Sequence, residues 1–279
     1  MITLPPRVKS VVNAPLGVLD TMGDQASFFA RTLGWIPKTV TRYQREVLRL
    51  LTEVAFGSGA LALIGGTVVI VSTLTFFTGA VVGLQGYSAL NQIGTSAFAG
   101  FVTSYFNTRE VAPLVAALGL SATVGAGFTA QLGAQRVSEE IDALEVMAVP
   151  SVPYLVTTRI FAALVAVIPL YFIGLLASYL ATRLIVTFQF KQSTGTYDHY
   201  FHQFLPPVDV AYSMLKVVIF AVVIVLIHCY YGYYASGGPA GVGVAVGKAI
   251  RTSLVAINVV DFFLSLAIWG ATATVRIAG

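Results

Sequence analysis

Residues Arg136 to Tyr154 read RVSEEIDALEVMAVPSVPY, a concentration of charge set between two long apolar runs. Ser138 is suited to cap a helix start, where a hydroxyl accepts a free backbone N–H. Glu139, Glu140 and Asp142 then fall near the first turn, where negative charge suits the positive end of the helix dipole. Val137, Ile141, Leu144 and Ala148 recur at helical spacing and predict one apolar face. Glu139, Asp142 and Glu145 share another side. Pro150 and Pro153 are expected to end the helix. The reading is a helix of about three turns between two membrane spans. It is either a solvated connection or a handle for a partner.

Composition decides the surroundings. Of 279 residues, 57% are hydrophobic and only 10% charged, against about 25% charged in a soluble domain. The mean hydropathy is +0.83. Several apolar runs exceed the roughly 18 residues that mark a spanning helix. They do not alternate as barrel strands of about ten residues do. The fold class expected is an all-α integral membrane protein. The single cysteine, Cys229, excludes an intrachain disulfide and a thiolate metal cluster. MITLPPRVKS at the start lacks the apolar core of a cleavable signal peptide. The net charge of +4 speaks to topology rather than to nucleic acid.

Working outward, residues 1–56 form a first segment and residues 57–279 a five-span domain. Pro5, Pro6 and Pro15 predict an irregular beginning. From Leu16 to Leu51, Phe28, Phe29, Leu33, Trp35 and Ile36 alternate with Arg31, Lys38, Arg42, Arg45 and Arg49. That mixture suits an amphipathic helix in the headgroup plane, divided at Pro37. Five spans follow, at about Gly57–Leu84, Val111–Ala134, Tyr154–Phe188, Val208–Tyr231 and Gly247–Ile277. The third is long enough to tilt, kink near Pro169 or protrude.

Arg42, Arg45 and Arg49 just before the first span place the N-terminus in the cytoplasm, and an odd number of spans then places the C-terminus outside. Arg136, the acidic helix, Lys248 and Arg251 fall inside. Of the 16 lysines and arginines, only Arg109, Arg183, Lys191, Lys216 and Arg276 lie nearer the outer side. The segment Gln85 to Glu110 is expected outside, with a short re-entrant or interfacial helix around Ala97 to Tyr105. In the second span Ala122, Ala126, Ala130 and Ala134 make a ridge of small residues, and Gly125, Thr129 and Gly133 a parallel row, both suited to close helix packing. A wet loop is expected over Gln189 to Pro207. Its Asp198, His199 and His202 are a weak metal pattern. Gly247-Lys248 fails as a phosphate loop, because Val242 and Ala249 stand where glycine and serine or threonine are needed. The glycines there predict a tight turn that opens the fifth span.

Charges inside spans cost roughly 2.5–3.5 kcal/mol each on insertion scales, so they mark candidate sites. Arg109 and Glu110 should open the second span at its outer end, with Lys216 about two turns into the fourth. These three either line a lipid pathway or hold one another in pairs. Asp261, near the centre of the fifth span, should pair with a cation or hydroxyl of a neighbouring helix. Arg159 and Arg183 can snorkel. The histidines His199, His202 and His228 have no nucleophile in motif context, and no nucleotide-binding signature is present. No catalytic residue is expected, and any ATP hydrolysis belongs to another chain.

EEIDALEVMAVPSVPYLV (139–156) resembles the signature of the MlaE/YrbE permeases, supported by TREVAPLVAAL (108–118) and GGPAGVGVAVGKA (237–249). These cover most of residues 105 to 255 and are closest in look to the YrbE permeases of actinobacterial Mce lipid import systems. Where this chain has Thr123, the family often has a basic residue. The resemblance implies that Ser138, Glu139, Glu140, Asp142, Leu144, Glu145 and Met147 form a cytoplasmic coupling helix that docks into an ATPase subunit. It implies a plasma (inner) membrane location and a second permease chain, a paralogue of this one. It also implies two ATPase copies holding ATP and Mg, MCE proteins on the outer face and a lipid substrate. It assigns no cofactor and no metal to this chain. The rival readings are an ion-coupled secondary transporter using Asp261 and Lys216, and a scaffold that only anchors outer-side partners.

Overall fold

The computed structural model describes residues 22–56 and 60–270, apart from the side chains of 40 and 51–65. The expected irregular start, Gly57, Arg276 and Ile277 lie outside the described residues. Every regular element among the described residues is helical. Three short helices lead: α1 (22–34), α2 (Ile36–Arg42) and α3 (Gln44–Phe56). Trp35 breaks the first two, with Pro37 in the opening turn of α2. Proline suits that place because its missing N–H needs no partner there. The amphipathic reading holds: Phe28 and Leu50 are buried, while Arg31, Lys38, Arg42, Arg45 and Arg49 are exposed. A second break, at Tyr43, is unsignalled by proline.

Among the described residues, five helices are long and apolar enough to cross a membrane. They are α4 (Ala60–Gln92), α5 (Ser96–Val137), α7 (Val152–Gln189), α9 (Pro207–Tyr233) and α10 (Gly238–Trp269). Two lesser helices intervene, α6 (Glu140–Val146) and α8 (Thr194–Gln203). The number of spans is as expected, but several ends move. α4 runs on to Gln92 and α5 begins at Ser96, so the expected outer segment Gln85 to Glu110 shrinks to a three-residue joint. No separate re-entrant helix exists at 97–105, since that stretch is the first part of α5. Nothing in LQGYSALNQ (84–92) stops a helix: it holds no proline, and one glycine costs only about 1 kcal/mol. The expected wet loop contains α8, with Tyr197 buried against Thr103 (3.0 Å). α10 begins at Gly238, so only Gly237 and Gly238, both at positive φ, make the turn expected over the whole glycine-rich run. Gly241 to Gly247 are helical.

α4 packs along α7, and α9 sits between α5, α7 and α10. Gly79 allows the first contact: a Cβ there would lie 2.5 Å from the Ser178 carbonyl oxygen. Around it, Thr182 donates to the Gly79 carbonyl (2.6 Å), and the Asn107 amide donates to Thr182 Oγ1 (2.8 Å) and to the Ser178 carbonyl (3.2 Å). These bonds tie α4, α5 and α7. Backbones approach closely where side chains are small, as packing in lipid favours. Of the two small-residue rows on α5, the Gly125, Thr129 and Gly133 row is buried against neighbours. Ala122, Ala130 and Ala134 of the other are exposed. Cys229 is fully buried as a packing residue.

Candidate functional site: an ion-paired end of the bundle and a short acidic helix

The charges foreseen in the membrane are brought together, with partners that spacing alone did not name. Residues 103–111 of α5 are π-helical, a wider turn often found at functional sites. This stretch presents Arg109 and Glu110 to α9 and α10. They lie well inside α5 rather than at its start, because the helix begins at Ser96. Arg109 donates through Nε (3.1 Å) and Nη2 (2.6 Å) to Asp209 Oδ2. Asp209 Oδ1 also accepts from the Trp269 indole at 3.1 Å. The guanidinium lies over the Tyr105 ring at 4.1 Å, a cation–π contact. Asp209 and Trp269 were not singled out from the sequence. The signal was there: Asp209 follows Pro206-Pro207 and sits in the first turn of α9, where an acid faces the positive helix end.

Lys216 is fully buried and forms the second knot. Its ammonium lies 2.6 Å from Asp261 Oδ1, 3.2 Å from Glu110 Oε2, 2.8 Å from Ser265 Oγ and 2.9 Å from the Arg109 carbonyl oxygen. Ser265 in turn donates to Glu110 Oε1 at 2.9 Å. Asp261 thus meets the expectation of a cation on a neighbouring helix. It stands eight residues before Trp269, nearer the helix end than the expected centre. Two cations and three carboxylates from α5, α9 and α10 share this end. Glu110 is its most exposed member, with 35% of its side chain accessible. A buried ion must be paired to persist, and each one here is.

Two expectations about isolated arginines differ in outcome. Arg183 is exposed and pairs with Asp198 (2.7 Å), so Asp198 is committed to an arginine. Arg159 does not snorkel. It is buried, bonded to the Leu155 carbonyl and Gln131, with Phe128 beneath its guanidinium.

Within the bundle His228 joins three spans. Its Nδ1 lies 2.8 Å from Thr129 Oγ1, and its Nε2 lies 3.1 Å from Ser121 Oγ and 3.3 Å from Ser253 Oγ. Thr129 and Ser121 belong to α5 and Ser253 to α10. The ring lies against Gly125, where a Cβ would come within 2.8 Å of it. No sequence motif marked this junction.

The acidic stretch differs from its reading in detail. Ser138 is not an N-cap. It closes α5, donating to the Ala134 carbonyl (3.0 Å) and to Glu140 (3.1 Å). Serine bonding back four residues is the competing use of the same hydroxyl. Glu139 takes the joint at φ 62, and α6 spans two turns rather than three. It ends at Val146, before Pro150, with Ala148 at φ 58. Pro153 opens α7 instead of closing α6. Of the expected apolar face, Ile141 is fully buried and Leu144 half-buried, whereas Val137 and Ala148 are exposed. Asp142 pairs with Arg136 (2.6 Å). Glu145 accepts from Ser151 (2.7 Å) and from the Tyr233 hydroxyl (3.2 Å), which fixes α6 to the ends of α7 and α9. Val146 and Met147 are 88% and 65% exposed beside Glu139 and Glu140. The basic face of α1 to α3 lies at this same end: Glu46 accepts from the Tyr154 hydroxyl at 3.3 Å.

Comparison with known proteins supplies the class. A family model described as Permease MlaE matches residues 56–267. A "Probable ABC transporter permease protein" of Rickettsia bellii is 32% identical over 196 residues, 70% of this chain and 76% of that one. One of the same description from Rickettsia felis is 27% identical over 251 residues, 90% of this chain and 97% of the relative. The chloroplast protein TRIGALACTOSYLDIACYLGLYCEROL 1 of Arabidopsis thaliana is 29% identical over 189 residues, 68% of this chain and 54% of that protein. With five apolar helices among its described residues and that family match, this chain belongs to the MlaE permease family, as a multi-pass permease subunit of the ABC-transporter class.

Proposed function

We propose that this subunit moves lipid across the cell envelope, inward, driven by an ATPase that grips α6 from the cytoplasm. The observation that carries the reading is α6 itself. It is anchored from beneath by Ile141 and by the Glu145 bonds to Ser151 and Tyr233. Outward it shows Glu139, Glu140, Val146 and Met147. An exposed apolar pair rimmed by acids is the composition of a docking surface. A push on it reaches α7 and α9 directly through Glu145.

Five spans per chain favour a pair of permease chains around one pathway, here two paralogous YrbE-type subunits with two ATPases. The outer end, with Arg109, Glu110 and Lys216, stands at the mouth of that pathway, where MCE proteins would deliver lipid. The galactolipid in the name of the Arabidopsis relative supports a lipid cargo. The mutual pairing of Lys216 and Asp261 supports a role in holding helices together over ion coupling. The basic face of α1 to α3, on the side of α6, supports a cytoplasmic N-terminus in the inner membrane.

The test is purification of the complex in mild detergent with identification of bound protein and lipid by mass spectrometry. A nucleotide hydrolase should accompany the wild type, and Glu140→Lys with Met147→Asp should release it while the spans stay folded. Retention of the hydrolase by that variant, or a wild-type chain that carries no lipid, would overturn the reading.

A further inference from the structure

We propose that the cleft between α2, α3 and the start of α7 is a binding site for the phosphate headgroup of an anionic inner-leaflet lipid, independent of the transported cargo. The cleft encloses about 560 Å³. Arg42, Arg45 and Arg49 line it together with Tyr43, Glu46 and Tyr154. The break at Tyr43 gathers them: the backbone leaves the helical region there (φ −115, ψ 30), so the end of α2 and the start of α3 face one space. Tyr43 and Tyr154 meet edge to face, 5.6 Å between ring centres, as an aromatic wall.

Charge within the cleft is divided. Glu46 is the one acid lining it among the described side chains, and it is already taken. Arg49 holds both its oxygens, at 2.9 and 2.6 Å, and the Tyr154 hydroxyl donates to it. Arg49 keeps the Glu46 carboxyl below its ordinary range, chiefly through these hydrogen bonds, so it stays ionised and bound to Arg49. Arg42 and Arg45 are exposed and have no carboxylate within ion-pair distance among the described residues. Two arginines left over beside one internally satisfied pair is the arrangement that takes a phosphate, since a guanidinium presents a donor fork matched to its oxygens.

The surroundings favour a lipid over a soluble phosphate. The α3 helix that carries much of the cleft is amphipathic, with Leu50 buried against the bundle. Leu48 on α3 is 62% exposed beside the arginines. An exposed leucine next to cations fits a surface where acyl chains and headgroups meet. Cytoplasmic leaflets are the anionic ones, and clusters of basic residues at their surface read them.

Native mass spectrometry of the full chain, released from nanodiscs of mixed phosphatidylcholine and phosphatidylglycerol, tests this. Phosphatidylglycerol should be retained selectively. Arg42→Gln with Arg45→Gln should lower its retention about tenfold or more, the loss expected when charge-assisted hydrogen bonds go. Arg45→Lys, which keeps the charge and loses the fork, should fall between. Arg31→Gln with Lys38→Gln removes the same charge outside the cleft and should leave retention unchanged. Equal loss from both double variants would mean diffuse attraction and overturn the site. Displacement of the lipid by inorganic phosphate at matching concentration would overturn the lipid assignment. Retained lipid with a lost co-purifying ATPase would make the cleft a protein contact and overturn it too.

Discussion

Replacing Lys216 by methionine tests the account of the ion-paired end most directly. Methionine keeps the stem's length and removes the charge, so Asp261 and Glu110 lose their common cation. At an effective dielectric constant of about 20, unit charges at 2.6 Å attract by about 6 kcal/mol, and at 3.2 Å by about 5 kcal/mol. Glu110 is about one-third exposed, so water screens the second figure substantially. Desolvation of the lysine offsets several kcal/mol of the remainder. Breaking a buried pair by removing one partner nets about 3–5 kcal/mol. At roughly 2–4 °C per kcal/mol, Lys216→Met should lower the melting temperature by about 10 °C. The double variant Lys216→Met, Asp261→Asn removes the stranded carboxylate and should recover most of that loss, because a neutral pair of similar volume is often as stable as a buried ion pair. Thermal unfolding in one lipid or detergent, for the wild type, both single variants and the double, reads the coupling. A single variant that melts with the wild type, or a double no better than the single, would refute the pairing. Unchanged melting with abolished transport would instead place Lys216 on the cargo.

Three further outcomes follow from named contacts. Gly125→Ala puts a methyl 2.8 Å from the His228 ring, which Thr129 and Ser121 hold in place. It should destabilise by about 1–3 kcal/mol in thermal unfolding despite the better helix propensity of alanine. Glu145→Ala removes the acceptor of Ser151 and Tyr233 and should raise amide exchange across Glu140–Val146 while leaving the spans protected, consistent with loss of charged hydrogen bonds of about 1.5–3 kcal/mol. Arg49 depresses the Glu46 carboxyl below its ordinary 4.5 in the folded state, so its contribution is present above that value and is lost as pH falls through the folded one. Melting measured on acidification should therefore fall more steeply for the wild type than for Glu46→Gln. Parallel curves would remove Glu46 from the account.

The spans were legible because burial in lipid demands long apolar helices whatever they pack against. Their ends were less so. Hydropathy falls away after Leu84 and before Val111, but a helix continues until something stops it, and these flanks hold no proline to do so. The acidic stretch failed for a related reason. A serine followed by acids reads as a helix start, yet Ser138 is equally able to bond back to Ala134. The length of α5 decides between the two uses. What the stretch did disclose correctly was Ile141 as the inward residue and the acids as a surface.

Pairing is where linear order stops informing. The cost of a charge in lipid says that Arg109 and Lys216 must have partners, and it says nothing of which. Asp209 lies 100 residues from Arg109, and Asp261 lies 45 from Lys216, on a different helix. Only the mutual packing of α5, α9 and α10 selects these acids over others. The converse holds for Arg159. Its position near the end of a span allowed an escape to water, but Gln131 and Phe128 of α5 hold it inside. A charge near a helix end is thus free to choose either environment, and the neighbouring helix makes the choice. His228 carries the point furthest. It lies in an apolar run, and it has no motif. Its role as a three-helix junction exists only because Gly125 leaves room for the ring. The residue a sequence reader would mark is therefore the glycine, whose missing side chain makes the space that the histidine fills.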